Sequence, residues 1–130
     1  MFEKLELSRM AHAMASHAMV RQDAISQNVA HADTPGYKAK DVAPFAQTYA
    51  AEDGFAVRAT RPGHLLASAG GYVAQASLNE SPDSQSPNGN TVSLETEMMK
   101  AAAVRQQYDL ALAIAKSSSG IVRTSLGRGR

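Results

Sequence analysis

Apolar residues recur at alternating three- and four-residue steps in two stretches, one near each end of the chain. The first runs Leu7, Ala11, Met14, Ala18, Arg21, Ile25, Asn28, Ala32, inside a segment from Glu6 to Ala32 that has no glycine or proline and is rich in Ala, Met, Gln and Arg. That spacing aligns one face of an α-helix, and those residue types lose little on entering one, so the pattern predicts a helix of roughly 40 Å. The second series is Leu94, Met98, Ala101, Arg105, Tyr108, Leu112, Ala115, Ser119, Val122, Leu126, broken only by Arg105 and Ser119. Ser93 stands where an N-cap is wanted, with Glu95 and Glu97 in the first turn, where carboxylates favour the helix dipole. Three serines before Gly120 predict a weakening or bend, and Gly127 to Arg130 should fray.

Between the two series the pattern dissolves. Residues 41–91 hold four of the five prolines and only short apolar pieces. Phe55 to Thr60 alternates as a strand, and Tyr72 to Leu78, after Gly70-Gly71, offers a partner for a small hairpin. Residues 79–90, NESPDSQSPNGN, contain no apolar side chain and read as a mobile loop that adds nothing to a core. The expected fold class is mainly α: long N- and C-terminal helices pair as a coiled-coil-like hairpin around a loop-rich middle segment with short β-strands. Residues 1–40 and 92–130 would form one helical domain and 41–91 an irregular insert. The expected packing positions are Leu7, Met14, Ala18 and Ile25 from the first helix, with Leu94, Met98, Ala101, Tyr108, Leu112 and Ala115 from the second.

Composition sharpens this picture. The chain has 130 residues, one domain's length, and is 44% hydrophobic, but 24 residues are alanine and none is tryptophan. Seams built from Ala and Met bury little area per turn, and at roughly 25 cal/mol per Å² an isolated two-helix unit would be marginal. Small residues let several helices approach closely, so a subunit of a larger bundle or polymer is favoured over a monomeric helical-hairpin adaptor.

Charge and motifs remove other classes. The net charge is +1, too balanced for affinity resting on phosphate neutralisation, so no nucleic acid partner is expected. The uneven distribution, acidic over 41–97 and basic over 98–130, reads as a solvated helix face. There is no cysteine. The longest apolar run, Leu110 to Ala115, falls far short of the ~18–20 residues that span a bilayer, so the chain is not expected to insert in a membrane. Charged residues interrupt Phe2, Leu5 and Leu7, so a cleavable secretory signal is not expected either. His12 and His17 lie five apart, about 140° around a helix, too far to share a metal ion. His31 and His64 lack a nearby cysteine or paired carboxylate, and no nucleotide-binding or nucleophile motif is present. No catalytic residue, metal, cofactor or small-molecule substrate is assigned. Met10, Met14, Met19, Met98 and Met99 suit either ordinary bundle packing or an adaptable binding surface.

One segment is far more specific. Asn28-Val29-Ala30-His31-Ala32-Asp33-Thr34-Pro35-Gly36-Tyr37-Lys38 closely resembles the signature that ends the first helix of bacterial flagellar rod, hook and related axial proteins, N-[IL]-A-N-A-[DN]-T-P-G-[YF]-[KR]. The chain departs at His31, where the usual residue is Asn, and conservatively at Val29. Three further pieces, 38–42, 60–65 and 88–98, are similar to the small proximal-rod members of that family. Bottom-up, Pro35-Gly36 suits the centre of a type II turn. Asn28, Asp33 and Thr34 can bond backbone groups freed at the helix end, and Tyr37 should pack back on it. Asn28, Ala30, Asp33, Thr34, Pro35, Gly36 and Tyr37 are therefore the candidate assembly residues.

The resemblance implies a structural role: export through the flagellar type III apparatus without a cleaved signal, then assembly as a helical tube in the periplasm. Its implied partners are other rod subunits, including copies of itself, a FlgC-like sibling and distal rod proteins, together with FliE-like and MS-ring components at the base. Another small rod subunit of the FlgC-like type, or a soluble adaptor, are the alternatives.

Overall fold

The structure is a computed structural model that describes residues 2–52, 76–78 and 86–127. Among the described residues five elements follow in order: α1 (Phe2–Ala30), β1 (Lys40–Val42), α2 (Phe45–Glu52), β2 (Ala76–Leu78) and α3 (Leu94–Leu126). Among the described residues no helix is long and apolar enough to cross a membrane.

The two long helices are those the 3-4 spacing predicts, and they run antiparallel: Asn28, near the end of α1, meets Glu97 in the first turn of α3. Ser93 is the N-cap residue of α3, but its hydroxyl makes no capping bond and instead accepts one from Thr96. The helix passes through Ser117–Gly120 without interruption to Leu126, and Gly127 closes it by donating its N–H to the Arg123 carbonyl at 2.8 Å.

Packing between the helices is narrow. Ala18, Ile25 and Val104 form the buried cluster, with Ala101 and Tyr108 against it. Along α3 the buried residues are Glu97, Val104, Ala111 and Ser118, spaced seven apart, with half-buried Ala101, Tyr108, Ala115 and Val122 four residues after each. This is a heptad seam. On α1, Ala11, Ala18, Ile25 and Asn28 are buried and Met14 and Arg21 half-buried.

The seam corrects half of the expected α3 series. Ala101, Tyr108 and Ala115 face α1, whereas Met98 and Leu112 are 65% and 46% exposed, each one residue beyond the true seam positions. Leu94 and Leu7 also face outward. Bulk was the misleading cue. The facing stripe of α1 is Ala11, Ala18, Ile25 and Asn28, and a close approach between two helices selects Ala111 and Ser118 over Leu112, while Asn28 selects the carboxylate of Glu97.

In the middle segment, β1 and β2 pair antiparallel, with Lys40 opposite Leu78, Asp41 opposite Ser77 and Val42 opposite Ala76. The expected strand 55–60 and the start of 72–78 lie outside the described residues, as do residues 79–85 of the expected loop. α2, in a segment read as irregular, begins because the Pro44 carbonyl accepts the N–H groups of Gln47 and Thr48. It is seated on α1 through His17, which is buried; its Nε2–H donates to the Ala43 carbonyl at 2.8 Å and its ring meets Phe45 edge-on.

Candidate functional site

The signature residues lie where α1 ends and the chain turns toward β1. Tyr37 donates its N–H to the Thr34 carbonyl at 3.3 Å, closing a turn with Pro35 and Gly36 at its centre. Gly36 has φ +73°, the left-handed value that a type II turn requires at that position. Nothing lies within 4 Å of where its Cβ would be, so the need for glycine there is conformational rather than steric. Tyr37 stacks on His31, ring centroids 4.6 Å apart.

The helix-end carbonyls are satisfied differently from the expectation. Asp33 is exposed, and Thr34 reaches only the His31 ring, at 3.2 Å. Asn90, some sixty residues downstream, does the capping. Its Nδ2 group donates to the carbonyls of His31, Ala32 and Thr34 at 3.0, 2.7 and 2.9 Å, its Oδ1 accepts from the Val92 amide at 2.8 Å, and the residue is 1% exposed. Residues 86–92 are laced to the signature turn along their length. Gly36 donates its N–H to Asn88, Thr91 donates its own to Tyr37, and the Ala39 amide donates to the Thr91 hydroxyl at 2.9 Å. Gly89, also at positive φ, lies against Gly36. The signature is therefore one half of a clasp whose other half is Asn88-Gly89-Asn90-Thr91.

Asn28 is fully buried, and its role also differs from the expected helix-end bond. Its Oδ1 accepts from the Lys40 N–H at 2.9 Å while its Nδ2 donates to the Lys40 carbonyl at 2.7 Å, so one side-chain amide pairs with both backbone groups of β1's first residue. Nδ2 also donates to Glu97 Oε2 at 2.9 Å, which ties α1, β1 and α3 at a single point. Ala30 and Pro35 are exposed, Ala30 at the last helical position and Pro35 within the turn.

Four charges surround this junction. Arg21 Nε donates to Asp41 Oδ1 at 2.9 Å, and Lys100 Nζ reaches Glu97 Oε1 at 2.8 Å and Asp41 Oδ2 at 3.4 Å. Burial pushes the Asp41 carboxyl upward, but the hydrogen bonds from Arg21 and the Val42 amide and the charges of Arg21 and Lys100 outweigh it, holding the group below its usual 3.8. Burial likewise opposes the charge on Lys100, and Glu97 and Asp41 overcome it, raising the ammonium above 10.5. No buried side-chain nitrogen or oxygen among the described residues lacks a hydrogen-bond partner. The described residues contain no group of three metal-ligating side chains.

Arg21, Asp41, Asn90 and Lys100 join Asn28 and the turn at this junction and were not among the candidate residues. The available signal was Asn88-Gly89-Asn90, a turn-forming run next to a helix start.

Two paired antiparallel helices fastened at one end by a hydrogen-bonded clasp define a helical-hairpin protein. No family model matches the chain. Among curated proteins it is similar to the flagellar basal body rod protein FlgB of Agrobacterium fabrum, 34% identical over 88% of both chains. It also resembles FlgB of Cereibacter sphaeroides, 36% identical over 72% of this chain and 73% of the relative, and FlgB of Salmonella typhimurium, 31% identical over the same shares. The chain belongs to the FlgB family of flagellar basal body rod proteins.

Proposed function

We propose that this chain is a structural subunit of the flagellar basal-body rod, occupying its proximal end in the periplasm and reaching it through the flagellar type III apparatus. The supporting observation is the 34% identity to a FlgB rod protein over 88% of the chain. The clasp gives that reading a physical basis. Asn90 and Asn28 fix how α1 leaves the hairpin, so every copy enters an array with the same angle between its helices and its middle segment. Its partners are further copies, a FlgC-like sibling, distal rod proteins, and FliE-like and MS-ring components at the base. Its work is mechanical: transmitting torque and enclosing the export channel.

Leu7, Leu94, Met98 and Leu112, which face outward in the single chain, serve contacts between chains in this reading, while Met14, Ala18, Ile25, Ala101, Tyr108 and Ala115 serve the hairpin itself. The experiment is purification of basal bodies from a strain carrying a tagged copy. The tagged chain should remain with the rod after detergent and salt extraction. Recovery only in the soluble fraction of a motile strain rejects the proposal and leaves the soluble adaptor.

A further inference from the structure

The clasp holds a chemically reactive dipeptide. Asn88-Gly89 is the single Asn-Gly pair of the chain; Asn28, Asn79 and Asn90 are followed by Val29, Glu80 and Thr91. Asparagine amides are thermolabile, and they are lost fastest before glycine. The reaction needs the next backbone nitrogen to reach the side-chain carbonyl carbon, and glycine has no Cβ to hinder that approach. Asn88 is exposed, so water has access to it.

The peptide unit between Asn88 and Gly89 is pinned at both edges. Its carbonyl accepts the Gly36 N–H at 3.0 Å, and its N–H donates to the Ser86 carbonyl at 2.8 Å. The second bond closes a turn with Pro87 and Asn88 at its centre, proline standing at the first central position where it is favoured. Asn88 Oδ1 accepts the Asn90 N–H at 3.1 Å, which polarises the very carbon that would be attacked. The electrophile is prepared and the nucleophile is withheld. For attack, Gly89 must give up the proton that Ser86 holds, and the peptide plane must rotate away from Gly36. One of those restraints crosses to the signature turn, so the protection belongs to the closed clasp and ends when it opens.

Going beyond the rod-subunit reading, we infer that Asn88 is a modification site gated by the clasp, keeping its amide while the clasp is closed and losing it while the clasp is open. The Gly89 nitrogen passes its proton to water and bonds to Asn88 Cγ. The side-chain nitrogen takes up a proton and leaves as ammonia, and a five-membered imide remains. Water then opens the imide at either carbonyl, giving an aspartyl or an isoaspartyl residue. The two products differ in consequence. The aspartyl form keeps the backbone path and an oxygen for the Asn90 N–H. The isoaspartyl form routes the main chain through Cβ, one atom longer, and so displaces Asn90, whose side chain caps the end of α1 through three bonds. A clasp that has stood open long enough to convert this way does not close again.

The purified full-length chain is incubated in warm, mildly alkaline buffer with and without guanidinium, beside Gly36→Val and Asn88→Ser. Tryptic peptides are followed by mass spectrometry, fragmentation places the lost amide, and isoaspartate is counted by enzymatic methyl transfer. Asp53-Gly54, which can form the same imide, falls on a separate tryptic peptide and is counted apart. Conversion at Asn88 should be about tenfold or more slower in the folded wild type than in guanidinium. Gly36→Val, which weakens the clasp without altering residues 86–92, should convert faster than the wild type; should it fail to fold, the wild-type comparison decides. Equal rates in folded and denatured wild type overturn the gating, and first conversion at Asn28, Asn79 or Asn90 overturns the site. Chains aged in guanidinium and returned to buffer report the consequence. The wild type should lose helical signal and melt lower in proportion to its isoaspartate content, and Asn88→Ser should not. Isoaspartyl chains that recover the full wild-type melt overturn the link to the cap.

Discussion

The two ends of the hairpin are built on opposite plans. At the turn end, Asn28, Asn90, Asp41 and Glu97 are buried and hydrogen-bonded beside the small apolar groups Ala39, Val42 and Val92. Along the shafts the buried residues are mostly alanine, while Met19, Met99, Leu110 and Leu126 face outward. A self-sufficient domain places its largest apolar groups inside. Here directional bonds fix the shape of the hairpin and much of the apolar bulk lies on its surface. In the proposed rod, that bulk is what neighbouring copies would cover.

The most severe way to break the first plan is Asn90→Asp. The substitution keeps the size of the side chain but replaces a donor with a carboxylate facing three carbonyl oxygens in a buried site. The expected cost is about 3 kcal/mol or more, because three carbonyls lose their donor and the buried carboxylate keeps only the Val92 amide while facing their oxygens. Circular dichroism on heating should show the loss, and the variant should disappear from purified basal bodies. An Asn90→Asp chain that melts like the wild type contradicts the clasp outright.

Gly36→Val acts on the other half of the clasp with a smaller effect. The φ of +73° is poorly available to a β-branched residue, and the strain is about 2 kcal/mol. Space is not the obstacle, so Gly36→Asn, which tolerates the left-handed region better, should recover most of the loss. Motility in soft agar and thermal melting both report this order. Equal damage from Val and Asn would mean that the conformational explanation is wrong.

Charge at the junction comes next. Asp41 is held below 3.8 in the folded chain, so its ionised form contributes stability that is present at neutral pH and lost as pH falls through the lowered folded-state value. Lys100, held above 10.5, contributes stability that is complete below 10.5 and lost only as pH rises through its raised value. Unfolding free energy should therefore fall off in acid, and Asp41→Asn should flatten that limb while costing about 1–2 kcal/mol at pH 7. An unchanged acid limb in Asp41→Asn assigns the pH dependence to other groups.

These ranks bear on what could be read from the residues alone. Both long helices were legible because their periodicity extends over many turns and no glycine or proline interrupts α1. The phase of α3 was half legible. Its exposed bulky residues carry as strong an apolar signal as its seam, and the true seam includes Glu97 and Ser118, which hydropathy places outside. Within the site, Pro35-Gly36 announced its turn through local conformational preference. Asn90 did not announce itself, because its partners are carbonyls nearly sixty positions earlier and nothing local to NGN specifies them.

The smallest expected effect is at His31, the non-conservative departure from the signature. His31 stacks on Tyr37 at 4.6 Å with the ring planes 19° apart, yet it is exposed, and the contact covers only one side of the turn. His31→Asn restores the usual family residue and removes the ring. An exposed aromatic pair contributes about 0.5 kcal/mol, and an Asn side chain can still reach the Thr34 hydroxyl, so the melting temperature should fall by roughly 2–4 °C at most. Incorporation into basal bodies should not change, because Asn90 holds the carbonyls of His31 and Thr34 whatever side chain stands at position 31. If His31→Asn proves as damaging as Asn90→Asp, the stacked rings rather than the buried amide hold the turn, and the division between a polar end that sets geometry and apolar shafts that supply cohesion is lost.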